Sequence, residues 1–189
     1  MRIITFMTRL FLLATALAGS ITLFAADSQT PSISKVFDNQ VRQVEREIGS
    51  LAEAMPAEQY NFAPTQGEFK GVRTFSQQMT HIATVIYEVS AASLGEKCPV
   101  EAGKDENGAP SIQGKDAVVR YLKASFAYAH KAAQALTAAN MLDMLQSPFG
   151  NQKTTRLSLI AEIGWHSFDH YGQAVEYARM NKIIPPASR

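Results

Sequence analysis

The stretch GWHSFDHYGQ, from Gly164 to Gln173, holds two of the four histidines of a 189-residue chain, His166 and His170, four residues apart. On a helix, residues four apart are offset by about 40° and sit one turn apart on one face. Neutral imidazole is the commonest metal-binding side chain, and an i, i+4 pair can grip one ion. Leu159, Ile163 and Tyr177 share their flank, with Glu162, Asp169 and Glu176 as a neighbouring polar row. A third histidine, His81, lies in QQMTHIATVIYEV, where Met79, Ile82, Val85, Ile86 and Val89 recur at helical spacing. His81 stands at the edge of that arc, in line with Val85 and Ala92 and next to Glu88. Three histidines from two facing helices would give an ion three neutral ligands. They would leave its full charge and open positions for water or substrate. Spacing alone leaves the other reading open, that of ordinary helix histidines. The H-E-x-x-H metalloprotease pattern fails, because Ser167 stands where the catalytic Glu is required.

The fourth histidine, His130, reads as solvated. It shares its side with Lys123, Ala127, Lys131 and Gln134, whereas the apolar arc there is Val118, Val119, Leu122, Phe126, Ala129, Ala133 and Leu136. Glu88 and Glu162 lie near the faces of the triad, but neither has an assigned partner for general-base work.

Four helical segments must position these residues. The first runs from about Ser32 to Met55, with Val36, Val41, Val44, Ile48 and Leu51 at helical spacing and Pro56 as its stop. A connection rich in turn residues follows. Its Tyr60, Phe62 and Phe69 suggest that it packs on the domain. The second segment spans about Phe75 to Leu94, with Thr74 and Gln77 as a capping box and Gly95 as the terminator. The connection from Gly95 to Gly114 holds Gly, Pro and charge and reads as solvated. The third segment spans about Lys115 to Ala139, with Asn140 as its stop. The fourth spans about Thr154 to Asn181, ahead of Pro185-Pro186. No stretch shows sustained strand alternation, so the expected fold is all-α, a four-helix bundle. The long first connection leaves its up-and-down order open.

The N-terminus differs in kind. Arg2 and Arg9 precede an apolar run from Leu10 to Leu17, small residues follow up to Ala25 and Ala26, and no acid occurs before Asp27. This order reads as a signal peptide over 1–26, leaving the bundle domain as 27–189 in a periplasmic or secreted protein. The other reading is an uncleaved anchor helix, but the run is short for a bilayer span. Ser20 stands where a lipoprotein box would need Cys, so lipid anchoring and stable membrane association after cleavage are not expected. Cleavage removes two of the 18 basic residues and none of the 17 acidic ones, leaving one net negative charge. Neutrality and scattered Lys and Arg argue against a nucleic-acid partner. The single Cys98 cannot form an internal disulfide, so the core must hold the domain together.

These residues resemble the DinB/YfiT-like family of metal-binding four-helix bundles. The family's last helix carries a pattern close to H-x-x-x-H-R-G-Q, and His166-Ser167-Phe168-Asp169-His170-Tyr171-Gly172-Gln173 is similar. His81-Ile82-Ala83 matches the second-helix His followed by small and apolar residues. Arg179 to Pro186 is similar to the family's R-M-N-G-x-x-P-P ending. The resemblance covers roughly residues 33–186. It implies that His81, His166 and His170 hold a divalent ion: Zn, Ni, Mn or Fe. It also implies a small-molecule substrate for a hydrolase, an isomerase or a thiol transferase; apart from the resemblance, amphipathic helix faces allow a homodimer. Export weighs against the low-molecular-weight thiols of the transferases, which are cytosolic. A non-catalytic metal- or ligand-binding bundle of an envelope stress response is the alternative. Tyr171 departs from the family Arg. Trp165 is expected at a helix–helix contact, Gly172 at a close helix approach, and Gln173 either beside a ligand histidine or facing water.

Overall fold

A computed structural model describes residues 30–189, so the signal peptide expected at 1–26 lies outside the described residues. Helix α1 (Ile33–Ala54) starts where Ser32 Oγ accepts the Lys35 N–H, and it buries Val41, Val44, Ile48 and Leu51. Helix α2 (Phe75–Leu94) opens on the capping box of Thr74 and Gln77. It closes on Gly95, whose φ of 69° lets its N–H turn back to the carbonyls of Ala91 and Ala92. Helix α3 spans Lys115–Gln134, and α4 spans Arg156–Met180 behind a Thr155 cap. Among the described residues no helix is long and apolar enough to cross a membrane.

Two features differ from expectation. Helix α3 stops at Gln134 rather than near Ala139. Thr137 and Asn140 exchange side-chain-to-backbone hydrogen bonds, and the Asn140 amide donates to the Ala135 carbonyl. These local bonds give the backbone an alternative to the helix. The chain then forms a hairpin that the sequence did not announce. Strand β1 (Met144–Gln146) pairs antiparallel with β2 (Lys153–Thr155), Met144 opposite Thr155. Three residues per strand are too few for alternation to register as a pattern.

The helix order follows from the side-chain bridges. Asp38 meets Gln134 and Glu53 meets Lys123, so α1 and α3 are antiparallel. Gln78 meets Gln173, and Arg156 reaches the Ser93 carbonyl, so α2 and α4 are antiparallel. Thr84 meets Tyr121 and Glu96 meets Lys131, so α2 and α3 run parallel. The core lies between the four, with Ile48, Leu51, Met79, Ile82, Ile86, Leu122, Phe126 and Leu159 buried. Burying one such side chain contributes roughly 1.5–3 kcal/mol relative to leaving it exposed. In the first connection Tyr60 packs edge-on against Phe75 and donates to the Ala52 carbonyl at 2.6 Å, and Phe62 packs against Tyr177. Phe69 departs from expectation and stays 43% exposed.

The parallel pairing of α2 and α3 has one consequence for the site. A connection between parallel helices must return along their whole length, about 30 Å for 20 residues. The segment 95–114 therefore travels back beside α2, from its C-terminus to the level of its first turns.

Candidate metal centre

His81 is the second-turn residue of α2, and His166 and His170 are one turn apart on the antiparallel α4. Antiparallel packing brings all three together. The His81 ring centroid lies 5.0 Å from that of His166 and 4.5 Å from that of His170. One ligand nitrogen from each ring falls within 4.8 Å of the others. The Nε2 atoms of His81 and His166 are 3.2 Å apart. Two nitrogens at ordinary zinc–nitrogen distances, held at a tetrahedral angle, lie about 3.3 Å apart, so the spacing fits a shared ion.

The outer ring nitrogens fix the tautomers. His81 Nδ1 donates to the Glu106 carbonyl at 3.1 Å, and His170 Nδ1 donates to Gln78 Oε1 at 2.6 Å. A carbonyl or amide oxygen only accepts, so Nδ1 carries the proton in both rings and each Nε2 presents its lone pair inward. Gln78 is itself aimed by Gln173, to whose Oε1 it donates at 3.0 Å. His166 Nδ1 is buried with no partner among the described residues. Metal-ligating histidines are ordinarily oriented by such outer hydrogen bonds, so two of the three rings are already set for the task.

The electrostatics keep the rings neutral. Burial, then the neighbouring His170 and His81 and Arg73, push His166 down to about 3. Burial, His81 and Arg73 push His170 down to about 4, and burial with Arg73 lowers His81. Neutral imidazole is the form that binds a metal. Glu88, two turns along α2 from His81, has its Oε2 buried without a partner, and burial beside Glu106 pushes it up to about 7.

A polar cavity of about 470 Å³ is lined by Arg73, Gln77, Gln78, Asp105, Asn107 and Gln173; the three histidines do not line it, and it lies on the outer, Nδ1 side of His170. Gln78 is the link, since it both lines the cavity and holds His170. Gln77, Asp105 and Asn107 also line a larger neighbour of about 630 Å³.

The structure brings together all three expected ligands and corrects four expectations about their surroundings. His130 is not solvated. Its Nδ1 lies 2.7 Å from Asp38 Oδ1 and its Nε2 3.2 Å from Glu45 Oε2, so it bridges α3 to two acids of α1. The spacing within α3 carries no sign of this, because the partners belong to α1, whose facing side holds a buried charge: Asp38 is 5% exposed. Trp165 is not buried in a helix–helix contact; it is 60% exposed, edge-on to His166, at a groove it shares with Phe37 and Val44 of α1. Gly172 is exposed and nothing stands within 4 Å of where its Cβ would be, so it serves no close approach. The connection 95–114 is not simply solvated, because it supplies the carbonyl that orients His81.

Gln78 and Glu106 are the residues that sequence reasoning overlooked. Gln78 had a signal: it lies three residues before His81, as Gln173 lies three after His170, so both amides share a helix face with a ligand. Glu106 had none, because its contact is made by backbone across 25 residues.

Comparison with known proteins agrees with this architecture. No curated protein matches the chain. The crystal structure of a conserved protein from Enterococcus faecalis superposes with a TM-score of 0.62 at 13% identity, over 80% of this chain and 98% of that one, a likeness of fold. The model of the DinB superfamily matches residues 40–174, a span that includes all three histidines. With most of the chain so matched, and four helices placing His81, His166 and His170 in one cluster, this chain belongs to the DinB superfamily.

Proposed function

We propose that the protein binds one divalent ion through His81, His166 and His170 and acts on a small polar substrate as a metal-dependent hydrolase or transferase. The observation that carries the reading is the convergence of three neutral rings, two of them with outer nitrogens already committed to acceptors. An ion held by three neutral ligands supplies a Lewis-acidic centre that polarises a substrate oxygen. The chain's own residues do the rest. Gln78 and the Glu106 carbonyl hold His170 and His81 each in one tautomer, and burial keeps all three rings unprotonated. A polar cavity on the outer side of Gln78, lined by Arg73, Gln77, Asn107 and Gln173, offers hydrogen-bonding groups to a small polar molecule near the centre. The leader of basic, apolar and small residues supports a periplasmic or secreted setting.

One observation favours a second reading, a non-catalytic metal- or ligand-binding bundle. No general base is in place: none of the three rings is hydrogen-bonded to a carboxylate among the described residues, and Glu88, with its Oε2 buried without a partner, lies two turns along α2 from His81. The two readings separate in a turnover assay with metal-loaded protein against ester, amide and thiol-transfer substrates. Turnover that tracks metal content and disappears in His166→Ala supports the enzyme. A tightly bound ion with no turnover across the panel supports the binder.

A further inference from the structure

The 95–114 connection meets the triad at a strained turn. Asp105 and Glu106 both adopt the left-handed backbone region, each with φ of 55°. That region is disfavoured for residues bearing a Cβ and persists where surrounding contacts hold it. The turn is closed at its base by two glycines. Gly108 donates to the Ala102 carbonyl at 2.8 Å, and a Cβ on Gly103 would run into the Gly108 carbonyl.

Arg73 supplies the contacts that hold the turn. Its Nε donates to Asn107 Oδ1 at 2.9 Å and its Nη2 to the Asp105 carbonyl at 2.8 Å. The guanidinium thus grips the residues on either side of Glu106, whose carbonyl meets His81 Nδ1. Arg73 is in turn tied to α4, because the Tyr177 hydroxyl donates to its carbonyl at 3.1 Å. Tyr177 lies seven residues beyond His170 on the helix that bears the other two ligands. A planar fork fits two acceptors on one turn, which a lysine ammonium does not reproduce.

We propose that Arg73 is a positioning residue of the metal centre, clamping the 105–107 turn so that the Glu106 carbonyl fixes the ring of His81. This rests on the metal-binding reading above. Its electrostatic sign makes it testable. Arg73 carries positive charge close enough to act on all three rings, so through charge alone it opposes a bound cation. Removing that charge would tighten metal binding, whereas removing the clamp would weaken it by the roughly 10–100-fold typical of lost outer-shell bonds.

The experiment measures Zn²⁺ affinity by chelator competition on the full domain, with wild type, Arg73→Gln, Arg73→Lys and Asn107→Ala. Circular dichroism and the melting temperature of each metal-free protein are recorded alongside. The clamp predicts roughly 10–100-fold weaker binding in both Arg73 variants, charge-retaining Arg73→Lys included, and a smaller loss in Asn107→Ala. It also predicts that the His81 Nδ1 proton signal in NMR broadens or vanishes in Arg73→Gln. Unchanged or tighter binding in Arg73→Gln overturns the proposal while leaving the metal reading intact. Should Arg73→Gln not fold, Asn107→Ala decides, with unchanged affinity overturning the clamp. A wild type that takes up no Zn²⁺ overturns both.

Discussion

Nε2 of His81 and Nε2 of His166 face each other at 3.2 Å across α2 and α4, and His170 stands one turn beyond His166. Antiparallel helices place these atoms, and hydrogen bonds on the far side of two of the rings aim them. Gln78 is the clearest of those supports, with its oxygen on His170 Nδ1 and its nitrogen on Gln173. Gln78→Met keeps the bulk and removes the acceptor. It is expected to weaken metal binding by about 10–100-fold, measured by chelator competition, with little change in helical content. Undiminished affinity would show that the amide does not orient the ring.

The bridge between His130 and Asp38 is a separate, structural device. Burial alone would raise the Asp38 carboxyl, but hydrogen bonds from His130 and Gln134 and the charges of His130 and Arg42 hold it below its ordinary value. His130→Ala leaves a buried carboxylate with only Arg42 and Gln134. The expected cost is roughly 1–3 kcal/mol of unfolding free energy in urea melts, with bound metal unchanged. A variant that lost its ion would contradict the separation of the two sites.

Acid should destabilise the metal-free protein through the triad. His166 and His170 fall to about 3 and about 4 in the folded chain, from an ordinary 6.5. The folded state therefore binds fewer protons than the unfolded one below 6.5, and stability rises with pH there. Their contribution is fully present above 6.5 and is lost as the pH falls toward the folded values. Thermal melts of metal-free wild type should drop between about pH 6.5 and 4. The His166→Ala/His170→Ala variant should show a shallower slope.

Glu88 works in the opposite direction. Its folded value is raised to about 7 from 4.5, first by burial and then by Glu106. Its contribution is fully present below 4.5 and lost as the pH rises through about 7. Glu88→Gln keeps the shape without the charge. It should match wild type near pH 4.5 and exceed it in melting temperature at pH 8; equal melting at both values would place the carboxylate in solvent.

Trp165, the chain's single tryptophan, is exposed and edge-on to His166, with ring centroids 6.0 Å apart. Trp165→Phe should leave stability within about 0.5 kcal/mol of wild type, as for exposed sites generally. In the wild type, its fluorescence should change when metal binds. A silent tryptophan during saturable metal uptake would place the ion elsewhere.

The readable part of the molecule was the part written in local patterns. The Thr74–Gln77 cap and Gly95 fixed both ends of α2, and i, i+4 spacing put His166 and His170 on one face. His81 joined them because its arc faced the same core. The unreadable part depended on which helix lies beside which. His130 looked solvated until α1 supplied Asp38, and Trp165 looked buried until α4 was packed. The Glu106 contact follows from the parallel α2 and α3, whose long return connection crosses His81. A backbone carbonyl leaves no trace in residue type.

Metal content is the most direct test of the central claim. Untagged protein would be examined by mass spectrometry after supply of divalent ions, beside His166→Ala/His170→Ala, with circular dichroism to confirm that both fold. The three-histidine centre predicts about one ion per chain in wild type and loss of that ion in the folded variant. A folded wild type without an ion, or a variant that keeps it, would contradict the assignment and leave the histidines as a structural cluster.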